Sequence, residues 1–145
     1  MKQILKTIFI ILIPVVLGGL VGSLTSFDYN FIKPDFYPPA SIFGIVWPIL
    51  YLLMGISSYI ISKELNNEKA MNLYILQLGL NLLWPFVFNI NYLVSFILII
   101  ILIITVILMI YEFYKLNKTA FYLQIPYLLW LIFASVLNLS IYILN

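Results

Sequence analysis

Five long apolar stretches, separated by short polar or proline-containing segments, constrain the fold of this chain more than any other feature. The first, Thr7 to Leu24, is long enough to cross about 30 Å of hydrocarbon at about 1.5 Å of rise per residue. Hydrophobic residues make up 65% of the 145 residues and charged residues 8%, too few to coat a water-soluble domain. The sequence therefore predicts an all-α membrane protein, a single five-helix transmembrane domain over residues 1–145, with helices at about 5–25, 42–62, 70–88, 92–114 and 119–143.

The lysines predict how this bundle crosses the membrane. Lys33 alone lies on the side opposite the N-terminus, whereas Lys2, Lys6, Lys63, Lys69, Lys115 and Lys118 fall on the N-terminal side. Because basic residues accumulate on the cytoplasmic side of membrane proteins, we expect a cytoplasmic N-terminus and an outside C-terminus. A bacterial plasma membrane is the expected location, and the lipid bilayer is the first expected partner.

Residue types that the chain lacks exclude several functions. There is no Cys and no His, so the commonest metal ligands, a thiolate nucleophile and the commonest general base are missing. The net charge of +2 rests on too few residues to suggest a nucleic-acid partner. Glu112 is the one acid close to a span, and it lies at the cytoplasmic end. We therefore predict no metal, no resident cofactor and no ion-coupled pump.

The segment between the first two helices is rich in prolines and aromatic residues. Pro34, Pro38 and Pro39 lack amide donors and disfavour helix in the residues before them, so we expect a shaped, extended connection. Ser41 is predicted to be the N-cap of the second helix. The aromatic residues of this loop fit either an interfacial belt or a lid over a ligand site.

The second helix carries a distinctive face. Gly44, Trp47 and Tyr51 recur at three- and four-residue steps, which places a bare backbone patch and two rings together. In the first helix, Gly18 and Gly22 form a small-xxx-small pair that indicates close helix packing, with a backbone wall for a ligand as the alternative.

The third and fifth helices carry polar side chains at helical spacing. Gln77 and Asn81 must point into the bundle, because an unbonded amide in hydrocarbon costs several kcal/mol. They bind either a neighbouring helix or a ligand. On the fifth helix, one arc holds Trp130, Ala134, Leu137 and Asn138. The fourth helix is nearly unbroken Ile and Leu, and we expect a lipid-facing support without chemistry.

The predicted depths of the tryptophans and of Asn81 in the membrane place these side chains close to one another. With the predicted orientation, Trp47, Trp84 and Asn81 lie in the outer half of the membrane and Trp130 lies near its middle. An interfacial belt explains Trp47 and Trp84 but explains Trp130 poorly. The sequence thus predicts that the aromatic and amide side chains converge beneath the proline-rich loop.

Several short motifs, in order along the whole chain, resemble the TspO/MBR family of tryptophan-rich sensory and translocator proteins. They are Lys33-Pro34, Pro38-Pro39, Phe43 to Val46-Trp47, Leu50-Tyr51, Met54-Gly55, Gln77-Leu78, Asn81, Trp84-Pro85, Pro126-Tyr127, Trp130, Phe133-Ala134 and Val136-Leu137-Asn138. Each piece is short, and their joint order and spacing make the resemblance specific.

The resemblance implies a five-helix bundle, often homodimeric, with a pocket under the first loop. Family members bind porphyrins such as protoporphyrin IX and heme, benzodiazepine-type and isoquinoline carboxamide ligands and, in some members, cholesterol. Carried over by position, the implied ligand-binding residues are Pro39, Trp47, Tyr51, Asn81, Trp84, Trp130, Ala134, Leu137 and Asn138, together with Tyr29.

Two departures from the family pattern affect these expectations. Phe27 and Phe36 stand where the family loop usually has tryptophans. Leu139 and Ile143 replace the Tyr and Arg of the animal cholesterol-recognition segment, so sterol transport is not expected. The loose sterol pattern does fit Val106-Tyr111-Lys115 and Leu53-Tyr59-Lys63, but such patterns carry little weight.

Three functions fit these residues. In the first, the protein binds a flat, apolar, acid-edged ring for tetrapyrrole transport or sensing: the tryptophans stack on the ring, and Asn81 and Asn138 donate to its polar edge. In the second, it degrades protoporphyrin IX with light and oxygen through Trp47 and Trp130, the catalytic candidates. In the third, it is a structural or regulatory membrane subunit whose aromatic residues only pack.

Overall fold

The computed structural model describes residues 1–25 and 30–145. It contains α1 (Lys2–Leu24), α2 (Ala40–Ser62), α3 (Glu68–Phe88), α4 (Tyr92–Leu116) and α5 (Lys118–Leu144). All five are long and apolar enough to span a membrane. The predicted five-helix transmembrane bundle is therefore confirmed. Phe27 and Tyr29, which the sequence analysis names, lie outside the described residues, as does Asp28 between them.

Asparagines and a proline set the helix starts. The Asn91 Oδ1 accepts the N–H groups of Leu93 and Val94 at 2.9 and 3.0 Å, and Asn117 caps α5 in the same way. Asn caps satisfy amides that a helix start leaves without partners. The predicted Ser41 cap is wrong: Pro39 is extended, with ψ of 148°, and α2 begins directly after it. Ser41 consequently falls inside the first turn.

The fourth helix has an exposed face and a buried face. α4 packs against both α3 and α5. One face is exposed, including Ile97, Ile101 and Ile104. The opposite face is buried and comprises Ser95, Ile99, Leu102, Val106, Met109 and Phe113. The exposed face fits the expected lipid-facing support, but a helix that is apolar all round gives no sequence signal for which face is buried, so the buried face was not predicted.

The two ends of the bundle are closed differently. At one end, which we call the lysine end, the Glu112 carboxylate pairs with Lys69 at 3.4 Å and with Lys115 at 3.0 Å. At the opposite end, the loop end, the Asn145 side chain accepts the Ile32 N–H at 2.8 Å and donates to the Ile32 carbonyl at 3.0 Å. Loop residues 30–39 are thereby joined to the end of α5.

Glycines bring α1 and α2 together. A Cβ atom on Gly55 would overlap the backbone carbonyl of Ile11, so the two helix backbones meet there. A Cβ on Gly18 would overlap the Tyr51 ring, whereas at Gly22 it would meet nothing within 4 Å. The two glycines of α1 therefore have different roles: Gly18 allows close packing, and Gly22 borders open space.

We predict that Gly55→Ala destabilises the bundle by about 1–3 kcal/mol, because α1 must move away from α2 to admit the methyl group. Gly79→Ala is the matched control, since a Cβ there meets nothing within 4 Å and alanine suits a helix interior better than glycine. Unfolding of the detergent-solubilised variants, followed by circular dichroism, measures both. Equal stability of the two variants would show that the α1–α2 contact is not tight.

Candidate ligand-binding cavity

Two adjoining chambers lie in the loop-end half of the bundle. The α1 chamber, of about 350 Å³, is bounded by α1 residues such as Gly18 and Gly22, and by α2 to α5. The α5 chamber, of about 110 Å³, is bounded by α5, by α2 and α3, and by the loop residue Tyr37. The two share the walls formed by Phe43, Trp47, Trp84 and Ala134. Their combined space is in the range of small-molecule sites.

Aromatic rings dominate the shared walls. The Trp47 ring stacks on Tyr51 with centroids 5.4 Å apart and meets Trp130 edge to face at 6.4 Å. Phe43 lies 5.8 Å from Trp130, and Tyr37 of the loop lies 5.7 Å from Phe43. Offset and edge-to-face rings of this kind form rigid apolar surfaces that suit a flat ring ligand. Tyr37 places part of the loop over this surface.

A buried hydrogen-bond network borders the α1 chamber. The Tyr51 hydroxyl donates to the Asn81 Oδ1 at 2.7 Å, and the Asn81 Nδ2 donates to the Tyr127 hydroxyl at 2.9 Å. That hydroxyl in turn donates to the Gln77 Oε1 at 2.9 Å. The network joins α2, α3 and α5. Gln77 and Asn81 point into the bundle as predicted, and their partners are neighbouring helices.

Asn138 makes a second network, beside the α5 chamber. Its Oδ1 accepts the Trp84 indole N–H at 3.1 Å and lies 3.0 Å from the Ser95 hydroxyl oxygen. Its Nδ2 donates to the Tyr92 carbonyl at 2.9 Å. Asn138 therefore holds α3, α4 and α5 together, and Trp84 is fixed in its orientation.

Trp130 has a different polar environment from Trp84. Its indole Nε1 is buried and has no hydrogen-bond partner within the described part of the chain. The ring packs against Phe43, Trp47 and Phe133, the last at 5.3 Å. A buried N–H without a partner costs free energy, so this donor is suited to an acceptor from a bound molecule.

The structure brings together the predicted site residues, with one exception. Trp47, Tyr51, Asn81, Trp84, Trp130, Ala134, Leu137 and Asn138 all line one or both chambers. Pro39 is exposed at the start of α2 and lines neither. Tyr29 lies outside the described residues.

Other lining residues were not singled out for the site. Phe43 borders both chambers and lies one turn before Trp47, a spacing that could have revealed it. Tyr127 lines neither chamber, but it completes the hydrogen-bond network beside the α1 chamber from the buried stripe of α5. Ile99 and Leu102 of α4 line the α1 chamber, and the uniform apolar sequence of α4 gave no signal for them.

The fold and cavity define a polytopic membrane protein with an internal aromatic site. Residues 10–144 match the family model of TspO/MBR, and the chain belongs to that family. It is 43% identical over 117 residues to the tryptophan-rich protein TspO of Archaeoglobus fulgidus, covering 78% of this chain and 76% of that protein. It is 35% identical over 119 residues to the Homo sapiens translocator protein, covering 76% of this chain and 69% of that protein. The Schizosaccharomyces pombe translocator protein homolog is 35% identical over 147 aligned positions, covering 92% and 88%.

We predict that Tyr127→Phe destabilises the protein by about 1 kcal/mol, because the Gln77 Oε1 and the Asn81 Nδ2 both lose their partner. Tyr122→Phe, on the same helix but 65% exposed, removes a hydroxyl outside this network and is the control. Thermal unfolding in one detergent compares the variants. Equal midpoints would mean that the network adds nothing to stability.

Proposed function

We propose that this protein binds flat, apolar ring ligands with an acidic or carbonyl edge, of the porphyrin type, in the two chambers beneath loop residues 30–39, and acts in tetrapyrrole transport or sensing. The observation that carries this proposal is the aromatic cavity in which the Trp130 N–H has no hydrogen-bond partner among residues 1–25 and 30–145. Membership of the TspO/MBR family supports it, since that resemblance implies porphyrin ligands.

The geometry suggests how such a ligand would be held. Trp47 and Phe43 supply ring surfaces on both chambers, and Trp130 supplies a donor for a carbonyl or carboxylate oxygen. Asn81 and Asn138 are held by protein groups, so we assign the ligand's polar edge to Trp130 instead. Lys33, whose Nζ lies 5.2 Å from the Tyr37 ring centroid, adds a positive charge at the loop that attracts an acidic edge.

The lysine end supports the proposed orientation. Lys63, Lys69, Lys115 and Lys118 lie there, opposite the loop, so we propose that this end faces the cytoplasm and that the chambers lie in the half of the bundle nearer the other side. We also propose that the protein lies in a bacterial plasma membrane and forms a homodimer.

We predict that protoporphyrin IX, titrated in the dark into detergent-purified protein, quenches tryptophan fluorescence saturably, and that Trp130→Phe weakens the affinity about tenfold. The reason is that phenylalanine retains a ring but loses the N–H donor, worth about 1–1.5 kcal/mol. Trp47 and Trp84 remain as reporters.

Val136→Ala, on the exposed face of α5 at 51% exposure, is the control and should leave the affinity unchanged. Linear, non-saturating quenching would contradict ligand binding in these chambers. It would favour the structural or regulatory subunit, in which the aromatic residues only pack.

A second candidate function is light- and oxygen-dependent degradation of protoporphyrin IX. The observation that favours it is a continuous aromatic path: Trp130 contacts Trp47, which stacks on Tyr51, whose hydroxyl donates to Asn81. Oxidisable rings in contact with one another and with the cavity would let pocket tryptophans take part in photochemistry.

For this second function we predict that the porphyrin absorbance of the complex declines under illumination in air, and that Trp130→Phe and Trp47→Phe each abolish the decline. Samples are compared at ligand concentrations that saturate each variant, so that weaker binding does not imitate lost chemistry. A decline at the rate of free porphyrin in detergent would leave a binding protein without this activity.

A further inference from the structure

A membrane-facing groove lies directly outside the α5 chamber. This α2–α5 groove is lined by Val46, Ile49, Leu50, Pro126, Leu129, Trp130 and Phe133, all apolar apart from the Trp130 indole N–H. Trp130 is the residue that lines both the groove and the α5 chamber. One indole ring therefore stands between the chamber and the surface that meets lipid.

Trp130 is well placed to move. Its indole N–H makes no hydrogen bond to the described residues, so rotation of the ring breaks ring contacts only. Trp84 is different, because its N–H is bonded to Asn138. Trp130, which faces the groove, has no hydrogen bond to Asn138 like that of Trp84.

The helices on either side of the groove are joined at one end and not at the other. Toward the lysine end, the Ser57 hydroxyl donates to the Ala120 carbonyl at 2.8 Å, and the Gln124 Nε2 lies 3.5 Å from the Leu53 carbonyl. From Pro126 to the loop end, the described residues show no hydrogen bond between α2 and α5. Pro48 and Pro126 each remove a backbone hydrogen bond at the level of the groove, where helices bend most readily.

The aqueous side of the chambers is more firmly closed. Ile32 is held by both polar atoms of the Asn145 side chain, and the Phe31 ring is buried against Phe88 and Tyr92 at 5.9 and 6.1 Å. An apolar ring ligand also concentrates in the bilayer rather than in water. Access through the loop would break these contacts, whereas access through the groove displaces one ring.

We propose that the ligand enters the α5 chamber laterally from the bilayer, between α2 and α5, with Trp130 as the gate. The proposal rests on the proposed function, and the occupant of the groove is the same flat, apolar ring ligand in transit. Trp130 thus has two roles, as the donor inside the chamber and as the wall that moves.

The natural chain has no cysteine, so pairs of introduced thiols can lock each route separately. Ile49 and Leu129 lie on opposite sides of the groove and are 53% and 61% exposed. An Ile49→Cys/Leu129→Cys pair joined by a short bis-methanethiosulfonate linker locks the α2–α5 groove. An Ile32→Cys/Asn145→Cys pair joined in the same way locks the loop.

The experiment measures protoporphyrin IX binding and release in lipid nanodiscs by stopped-flow tryptophan quenching in the dark. We expect the groove lock to slow both rates about tenfold while the equilibrium Kd stays within about twofold, and reduction of the linker to restore both rates. The loop lock should leave both rates unchanged. Single-cysteine variants treated with the same reagent are the controls.

A second variant tests the same route without a linker. Leu129→Ala removes part of the outer wall and should speed release about threefold, whereas Ile101→Ala, at 47% exposure on α4, should not change it. Saturable binding with unchanged rates in the groove-locked protein would overturn lateral access but not the proposed function. Equal slowing of binding and release by both locks would do the same. Absence of saturable binding by the unmodified protein would overturn the proposed function and this route with it.

Discussion

The hydrogen bonds of Asn81 hold the centre of this bundle together. Lipid offers an amide no partner, so Asn81 is stable in the hydrocarbon region only because Tyr51 donates to it and Tyr127 accepts from it. The same contacts fix α2, α3 and α5 at one level. Since Tyr51 also stacks on Trp47, the network that satisfies Asn81 sets the position of a cavity wall.

The cavity walls are held in place by contacts of neighbouring side chains. Asn138 anchors Trp84 and the start of α4, and Gly18 leaves room for the Tyr51 ring against α1. These contacts keep large rings apart instead of letting them collapse into a packed core. Trp130, for which the described residues provide ring contacts and no hydrogen bond, is the part of this wall that we propose to move. The proposed ligand binding, photochemistry and lateral access all involve this one side chain.

Several features of the site were predictable from spacing. Gly44, Trp47 and Tyr51 share a helix face at any helical geometry, and α5 places Trp130, Ala134 and Asn138 on one arc. Gln77 and Asn81 had to point inward because of the cost of an unbonded amide. The roles of these amides were not predictable, since partners such as Tyr127 and Tyr92 come from other helices. Pro39 shares the motif but is exposed and lies outside both chambers, whereas the next residue, Ala40, lines the α1 chamber.

The sequence by itself determined the five spans, because their length and apolarity match a bilayer whatever their neighbours are. It also determined which helix faces carry rings and amides. Only the tertiary structure decided the buried face of α4, where a uniform run of Ile and Leu has no preferred side. It also decided that the amides bind protein groups, that the cavity is divided into two chambers, and that Trp130 borders both chamber and lipid. Those outcomes depend on distances between residues far apart in the chain.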